Sequence, residues 1–327
     1  MDSLTISMES LIKGQTEQHS HEQFEQLVKE FLYDEQFEDS ILEIKRVSGS
    51  SARVYKSSLK IFKSFLKERN VRLITEQDII CFENHLKQQR LSVFTVISHL
   101  STLKSFFSTL FNRGLYPNIA KDIKLPKKPR GFMKDTLTKE QAIQLLESVQ
   151  GNDIISKRDL AILNILLRCG LRSIEIERAN IEDVRSQKGT PVLFVQGKGR
   201  DAKDEFVVLT PKAFNVVQEY LSLRKGARAR EPLFASHGNR NDKDNSGRLQ
   251  TRSIRRMVKK YLKKIGLNNT RLTCHSLRHT FATLALENNA PLLAIQKAMR
   301  HSNINTTTIY THMLDRLSNG AETYIDI

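Results

Sequence analysis

Residues 273–286 read TCHSLRHTFATLAL. The second half of this stretch is an apolar run that anchors a helix. The first half sets His275 and Arg278 three residues apart, the spacing of neighbours on a helix surface. A histidine exchanges protons near neutral pH while an arginine stays charged, a pairing suited to an anion that undergoes proton transfer. His275 and His279, four apart, also have the spacing of two zinc ligands. No Glu completes an H-E-x-x-H arrangement, so a metal role is set aside.

Downstream, MRHSNINTTTIYTHML (299–314) carries His301 and Tyr310, and on its own such a tyrosine reads as a packing residue. Upstream, LRCGLRSIEIERA (167–179) has Gly170 ending one helix and Arg172 opening the next. An arginine beside a helix N-terminus holds anions well, because its fork grips two oxygens and the helix dipole assists. Between these segments, PVLFV (191–195) and EFVVL (205–209) read as strands rich in β-branched residues. The nine residues joining them, QGKGRDAKD, form a hairpin tip with Lys198 between two glycines. Thr138 caps a helix over LTKEQAIQLLESV, and DLAILNILLRCGL is a further helix. In TRSIRRMVKKYLKKIG (251–266), Ile254, Val258, Leu262 and Ile265 form an apolar face. Arg252, Arg255, Arg256 and Lys259 lie opposite, as candidate phosphate contacts.

Before residue 115 helical periodicity dominates. In RVYKSSLKIFKSFLKER (53–69), Tyr55, Leu59, Phe62 and Leu66 recur at helical spacing. Arg53, Lys56, Lys60, Lys63 and Lys67 form a stripe uninterrupted by acid before Glu68, a second candidate phosphate-facing surface. The helix SVFTVISHLSTLKSFFSTLF is expected to bury Val93, Val96, Leu100, Leu103, Phe107 and Leu110. Residues 116–134 carry three prolines and a run of bases that includes Lys127 and Lys128. Such a stretch breaks helices and reads as a basic connection. The expected organisation is a polar segment (1–19), a helical first domain (20–118), a linker (119–134) and a second domain (135–327). The fold class is mainly α with a small antiparallel sheet.

The 327 residues include 52 Lys and Arg against 36 Asp and Glu, a formal charge of +16. That excess favours a polyanionic partner, nucleic acid first. Three scattered cysteines form no even disulfide framework, and no secretory pattern or apolar stretch of about 18 residues is present. The expectation is a soluble protein of the cytosol with no membrane partner.

Taken together the segments resemble the tyrosine recombinases, or phage-type integrases, and most closely the small Xer-like members. The G-L-R-x-x-E motif is matched by Gly170, Leu171, Arg172 and Glu175, and the G-K-G tip by Lys198. The H-x-L-R-H box is matched by His275, Leu277, Arg278 and His279. The final box is matched by His301, Ser302, Thr306, Thr307, Tyr310, Thr311 and His312. Four matches in the family's order stand well apart from chance. There are departures: Arg300 stands where the family usually has Gly, the hairpin is long, and Glu205 replaces a frequent base. The last two leave Lys198 and Lys203 both open as the active lysine, with Lys198 favoured. The first domain, with Pro117-Asn118-Ile119-Ala120 before the linker, is the looser match.

The resemblance implies a helical, SAM-like core-binding domain followed by a mixed α/β catalytic domain. It further implies Tyr310 as nucleophile, with Arg172, Arg278 and His301 on the phosphate and Glu175 in support. His275 would accept the phenol proton and Lys198 would protonate the leaving 5′ oxygen. The product would be a 3′-phosphotyrosyl link, formed without metal or ATP. Two double-stranded DNA sites would be exchanged through a Holliday junction by four protomers, with the tail LDRLSNGAETYIDI (314–327) docked on a neighbour. A second recombinase or an accessory protein fits the same scheme. So do integration or excision of a mobile element, slightly favoured by the divergent first domain, and dimer resolution. Two other readings compete: a type IB topoisomerase that nicks and reseals one duplex, and a non-catalytic DNA-binding regulator, which predicts damage to the Arg, His and Tyr set.

Overall fold

Each unit has its own core of buried apolar side chains. The computed structural model describes residues 21–34, 36, 37, 39, 41, 49–127, 135–197, 201–237 and 247–300. The expectations for Lys128, Lys198, His301, Tyr310 and the 314–327 tail lie outside them. Backbone proximity divides the chain into residues 1–132 and 133–327.

The first unit contains α1 (His21–Tyr33), α2 (Gly49–Glu68), α3 (Glu76–Gln88) and α4 (Val93–Asn112). Tyr55, Leu59, Phe62 and Leu66 are buried on α2, as their spacing requires. A knot of rings fills the centre: Phe31 lies 5.0 Å from Phe106, and Phe62 lies 5.0 Å from Phe82. Such pairs add roughly 0.5–1.5 kcal/mol each beyond the area they bury. Ser92 caps α4 by accepting from Thr95 N at 3.2 Å. Val93 therefore sits in the first turn and is 38% exposed, against the expected burial; the other five expected residues are buried.

The basic stripe of α2 is also corrected. Arg53, Lys56, Lys60 and Lys67 are exposed, and Lys56 pairs with Asp39. Lys63, however, is only 9% exposed, donates to Asp34 O at 3.2 Å and lies over the Phe31 ring. An ammonium spent on an internal carbonyl and a ring face is not offered to phosphate.

The linker begins later than the sequence implies. Ala120 and Ile123 are buried in the first unit's core. Lys104 Nζ donates to the carbonyls of Ala120, Lys121 and Ile123 at 2.9, 2.7 and 2.7 Å, which fixes this stretch against α4. Lys127 is exposed.

The second unit contains α5 (Lys139–Glu147), α6 (Ile154–Cys169), α7 (Ser173–Arg178), β1 (Val184–Gln187), β2 (Thr190–Val195) and β3 (Glu205–Val208). It continues with α8 (Pro211–Ser222), α9 (Thr251–Lys264), α10 (Cys274–Glu287) and α11 (Leu292–Met299). Thr138 caps α5 as expected, accepting from Gln141 N at 3.2 Å. Helix α6 is buried from Ala161 to Leu167 without a polar stripe, the pattern of a helix enclosed by neighbours. Those neighbours are α8 and α10. One strand of the sheet, β1, went unforeseen because its sequence, VRSQ, is polar and largely exposed. The order is β1-β2-β3, antiparallel, with Val184 opposite Leu193 and Val192 opposite Val208. Leu137 N donates to the Thr280 hydroxyl at 2.9 Å, so the start of this unit is tied to α10. Among the described residues no helix is long and apolar enough to cross a membrane.

Candidate active site

Gly170 sets the geometry. It ends α6 in the left-handed conformation, φ +60°, which a side chain disfavours. A Cβ there would also stand 2.5 Å from the Phe281 ring of α10. Glycine thus lets α10 close directly onto the end of α6, and the chain reverses through Leu171 into Arg172, the N-cap of α7.

One carboxylate organises the arginines. Glu175 is fully buried, and its Oε2 accepts from Arg172 N at 2.7 Å while Oε1 accepts from Arg172 Nη1 at 2.8 Å. Arg300 donates to the same group, Nη2 to Oε2 at 2.5 Å and Nε to Oε1 at 3.3 Å. Arg278 Nη1 stands 3.9 Å from Oε2. Burial pushes the Glu175 carboxyl up, but Arg300's charge and hydrogen bond, Arg172's backbone N–H and Arg278's charge outweigh it. The group is held below its ordinary value. Three guanidiniums around one carboxylate leave the cluster strongly positive.

The ends of two helices hold the arginines from the other side. Arg278 is 0% exposed; Nη1 donates to Gly170 O at 2.5 Å and Nη2 to Met299 O. These carbonyls lie at the C-termini of α6 and α11, where the helix dipole favours a cation. Arg172 Nη2 donates to Arg300 O, at the C-cap of α11, at 3.3 Å.

A groove of about 540 Å³ opens in front of this cluster. Arg172 and His275 line it together with Arg255 and Lys259 from α9. The structure therefore brings two expected site residues and two expected DNA contacts to one concavity. Arg252 and Arg256 are exposed elsewhere along α9 and do not line it. Arg278 does not line it either. It shares a helix with His275 but reaches inward beneath it, whereas the exposed His275 meets the His279 ring edge to face at 4.5 Å. Lys259 also donates to Asn269 O at 2.6 Å.

Lys203 is bound elsewhere. Its ammonium pairs with Asp183, a buried residue that also accepts from Asn180 N at 2.6 Å. The side-chain role of Arg300 was not foreseen. Its sequence signal was a charged residue at a position where glycine is usual.

Comparison with known proteins agrees with this architecture. Residues 135–316 match the phage integrase family, and residues 32–115 match the phage integrase N-terminal SAM-like domain. The chain is 33% identical over 270 residues to tyrosine recombinase XerC of Thermodesulfovibrio yellowstonii, covering 81% of this chain and 86% of that protein. It is 31% identical over 282 residues to tyrosine recombinase XerD of Oceanobacillus iheyensis, covering 83% and 91%. Among solved structures, XerH site-specific recombinase bound to palindromic difH substrate superposes with a TM-score of 0.70 at 22% identity, over 88% of this chain and 84% of that one. The Tn1549 transposon integrase in complex with circular intermediate DNA gives 0.66 at 20% identity, over 86% and 94%. These two likenesses concern the fold.

Proposed function

The chain belongs to the phage integrase family as an Xer-like tyrosine recombinase, and from that premise we propose that it cleaves and rejoins two DNA sites through a 3′-phosphotyrosyl intermediate. The observation that carries the reading is the shared groove of Arg172, His275, Arg255 and Lys259, with Arg278 held behind it by the carbonyls of Gly170 and Met299.

Cleavage builds negative charge on the non-bridging oxygens as phosphorus becomes five-coordinate. Arg172 faces the groove and donates to one of them; Arg278 adds charge from behind and His301 a further hydrogen bond. Donors fixed in advance at such sites are worth about 3 kcal/mol or more each. Tyr310 is the nucleophile. A free phenol, with a pKa near 10, is a poor one at neutral pH. The guanidiniums favour its phenolate and His275 takes its proton. Lys198 protonates the leaving 5′ oxygen; Lys203 is the weaker candidate because Asp183 already engages it. The bond energy stays in the phosphotyrosyl ester, so a 5′ hydroxyl from a second strand reverses the step without ATP, and the guanidiniums fill the charge role a metal would otherwise take. Four protomers on two duplexes exchange strands pairwise through a Holliday junction, with the 314–327 tail joining neighbours.

The decisive variant is Tyr310→Phe. It is expected to bind DNA within about twofold of wild type, since phosphate contacts elsewhere carry the affinity. It should form no adduct resistant to denaturing detergent. An adduct from this variant would sink the assignment. A two-site plasmid assay separates strand exchange from simple nicking and closing.

A further inference from the structure

Arg300 departs from the glycine usual at its position, and its surroundings show what the substitution accomplishes. It ends α11 with φ +52° and ψ +49°, a left-handed conformation that a side chain normally resists. The side chain is only 4% exposed and folds back onto Glu175, gripping both carboxylate oxygens. Its third nitrogen, Nη1, donates to Ala298 O at 2.5 Å. Its backbone carbonyl accepts from Arg172, and the neighbouring carbonyl of Met299 accepts from Arg278. The corner at 299–300 thus receives one hydrogen bond from each of the two site arginines.

We propose that Arg300 is a positioning residue of the recombination reaction: by sharing Glu175 with Arg172 and Arg278, it fixes Arg172 at the groove and leaves the charge of both arginines available to the scissile phosphate. This rests on the function proposed above. With two arginines on Glu175, half of their charge is cancelled internally; a third takes over much of that neutralisation. The charged groups facing the carboxylate are Arg172 at the start of α7, Arg278 on α10 and Arg300 after α11. The nearby Cys169 thiol at the end of α6 is pushed up to about 12 by burial and stays neutral. Arg300 is the largest influence favouring Glu175's ionised form, so removing it raises the carboxyl toward the range that burial alone would impose. A protonated Glu175 holds Arg172 less firmly, so cleavage by such a variant fails at higher pH than in the wild type.

The test uses the full-length protein and a duplex recovered from a randomised library by covalent attachment to the wild type. Arg300→Gly, Arg300→Met and Arg300→Lys are compared for DNA affinity, thermal midpoint, single-turnover adduct formation and its pH profile. Arg300→Gly relieves the backbone strain, so it keeps the fold even if Arg300→Met does not. Affinity is expected within about twofold in both. Adduct formation should fall roughly tenfold or more, the range carried by groups that orient a reacting side chain. The acid limb of the profile should move up in pH, and Arg300→Lys should recover part of the rate. Wild-type rate and profile in Arg300→Gly would overturn the proposal, as would a rate loss with no shift of the acid limb. If the wild type captures no duplex, or Tyr310→Phe captures one, the underlying function has failed instead.

Discussion

Glu175 concentrates the electrostatics of the site in one side chain. Its ionised form is stabilised in the folded state, so it contributes stability at pH values above its unfolded pKa, near 4.3. That contribution disappears as pH falls through the lower folded value. Glu175→Gln leaves Arg172, Arg278 and Arg300 close together without a counter-charge, and such uncompensated burial costs about 3 kcal/mol or more at neutral pH. Urea unfolding of wild type and variant at pH 7 and at pH 3 checks this: the gap should narrow at the lower pH, and a constant gap would contradict it. Much at this scale was legible in the sequence. Gly170, Arg172, Glu175 and Arg278 stand in motifs whose spacing is local, and the structure sets Arg172 and Arg278 around the Glu175 carboxylate, with Gly170 O accepting from Arg278. The Arg300 link was hidden because 125 residues separate it from Glu175, and no local pattern records that approach.

Elements were readable in proportion to how strictly their periodicity was enforced by burial. Helix α9 alternates buried Ile254, Val258 and Leu262 with bases, so both its extent and its basic face were visible. Strand β1 was invisible because three of its four residues are exposed. Lys63 was misread for a related reason: the groups that absorb it, Asp34 O and the Phe31 ring, belong to another part of the first unit. The two helices make a graded prediction about DNA. Replacing an exposed base that meets phosphate should lower the slope of log affinity against log salt by about 0.9. Arg255→Ala and Lys60→Ala are expected to do so, and Lys63→Met is expected to leave the slope unchanged. Fluorescence anisotropy at several salt concentrations reads the slopes; an equal loss from Lys63→Met would remove the distinction drawn between buried and exposed bases.

For the whole molecule, the charge of +16 acts in opposite directions on folding and on binding. Self-repulsion opposes the folded state and is screened by salt, while attraction to a duplex is weakened by the same ions. Raising sodium chloride from about 20 to 200 mM should therefore raise the thermal midpoint of the free protein. Over the same range DNA affinity should drop by orders of magnitude. Scanning calorimetry and anisotropy on one preparation test both; a midpoint that fell with salt would show that attractive ion pairs dominate the free protein. Two small attachments lie on either side of the division between the units. Lys104 secures the chain at Ile123, and the Thr280 hydroxyl secures it again at Leu137. At roughly 3.5 Å per residue, covalent geometry alone caps the distance between those two anchors at about 50 Å. Each of these side chains, Lys104 and Thr280, thereby spends its polar group on the backbone that borders the division between the units.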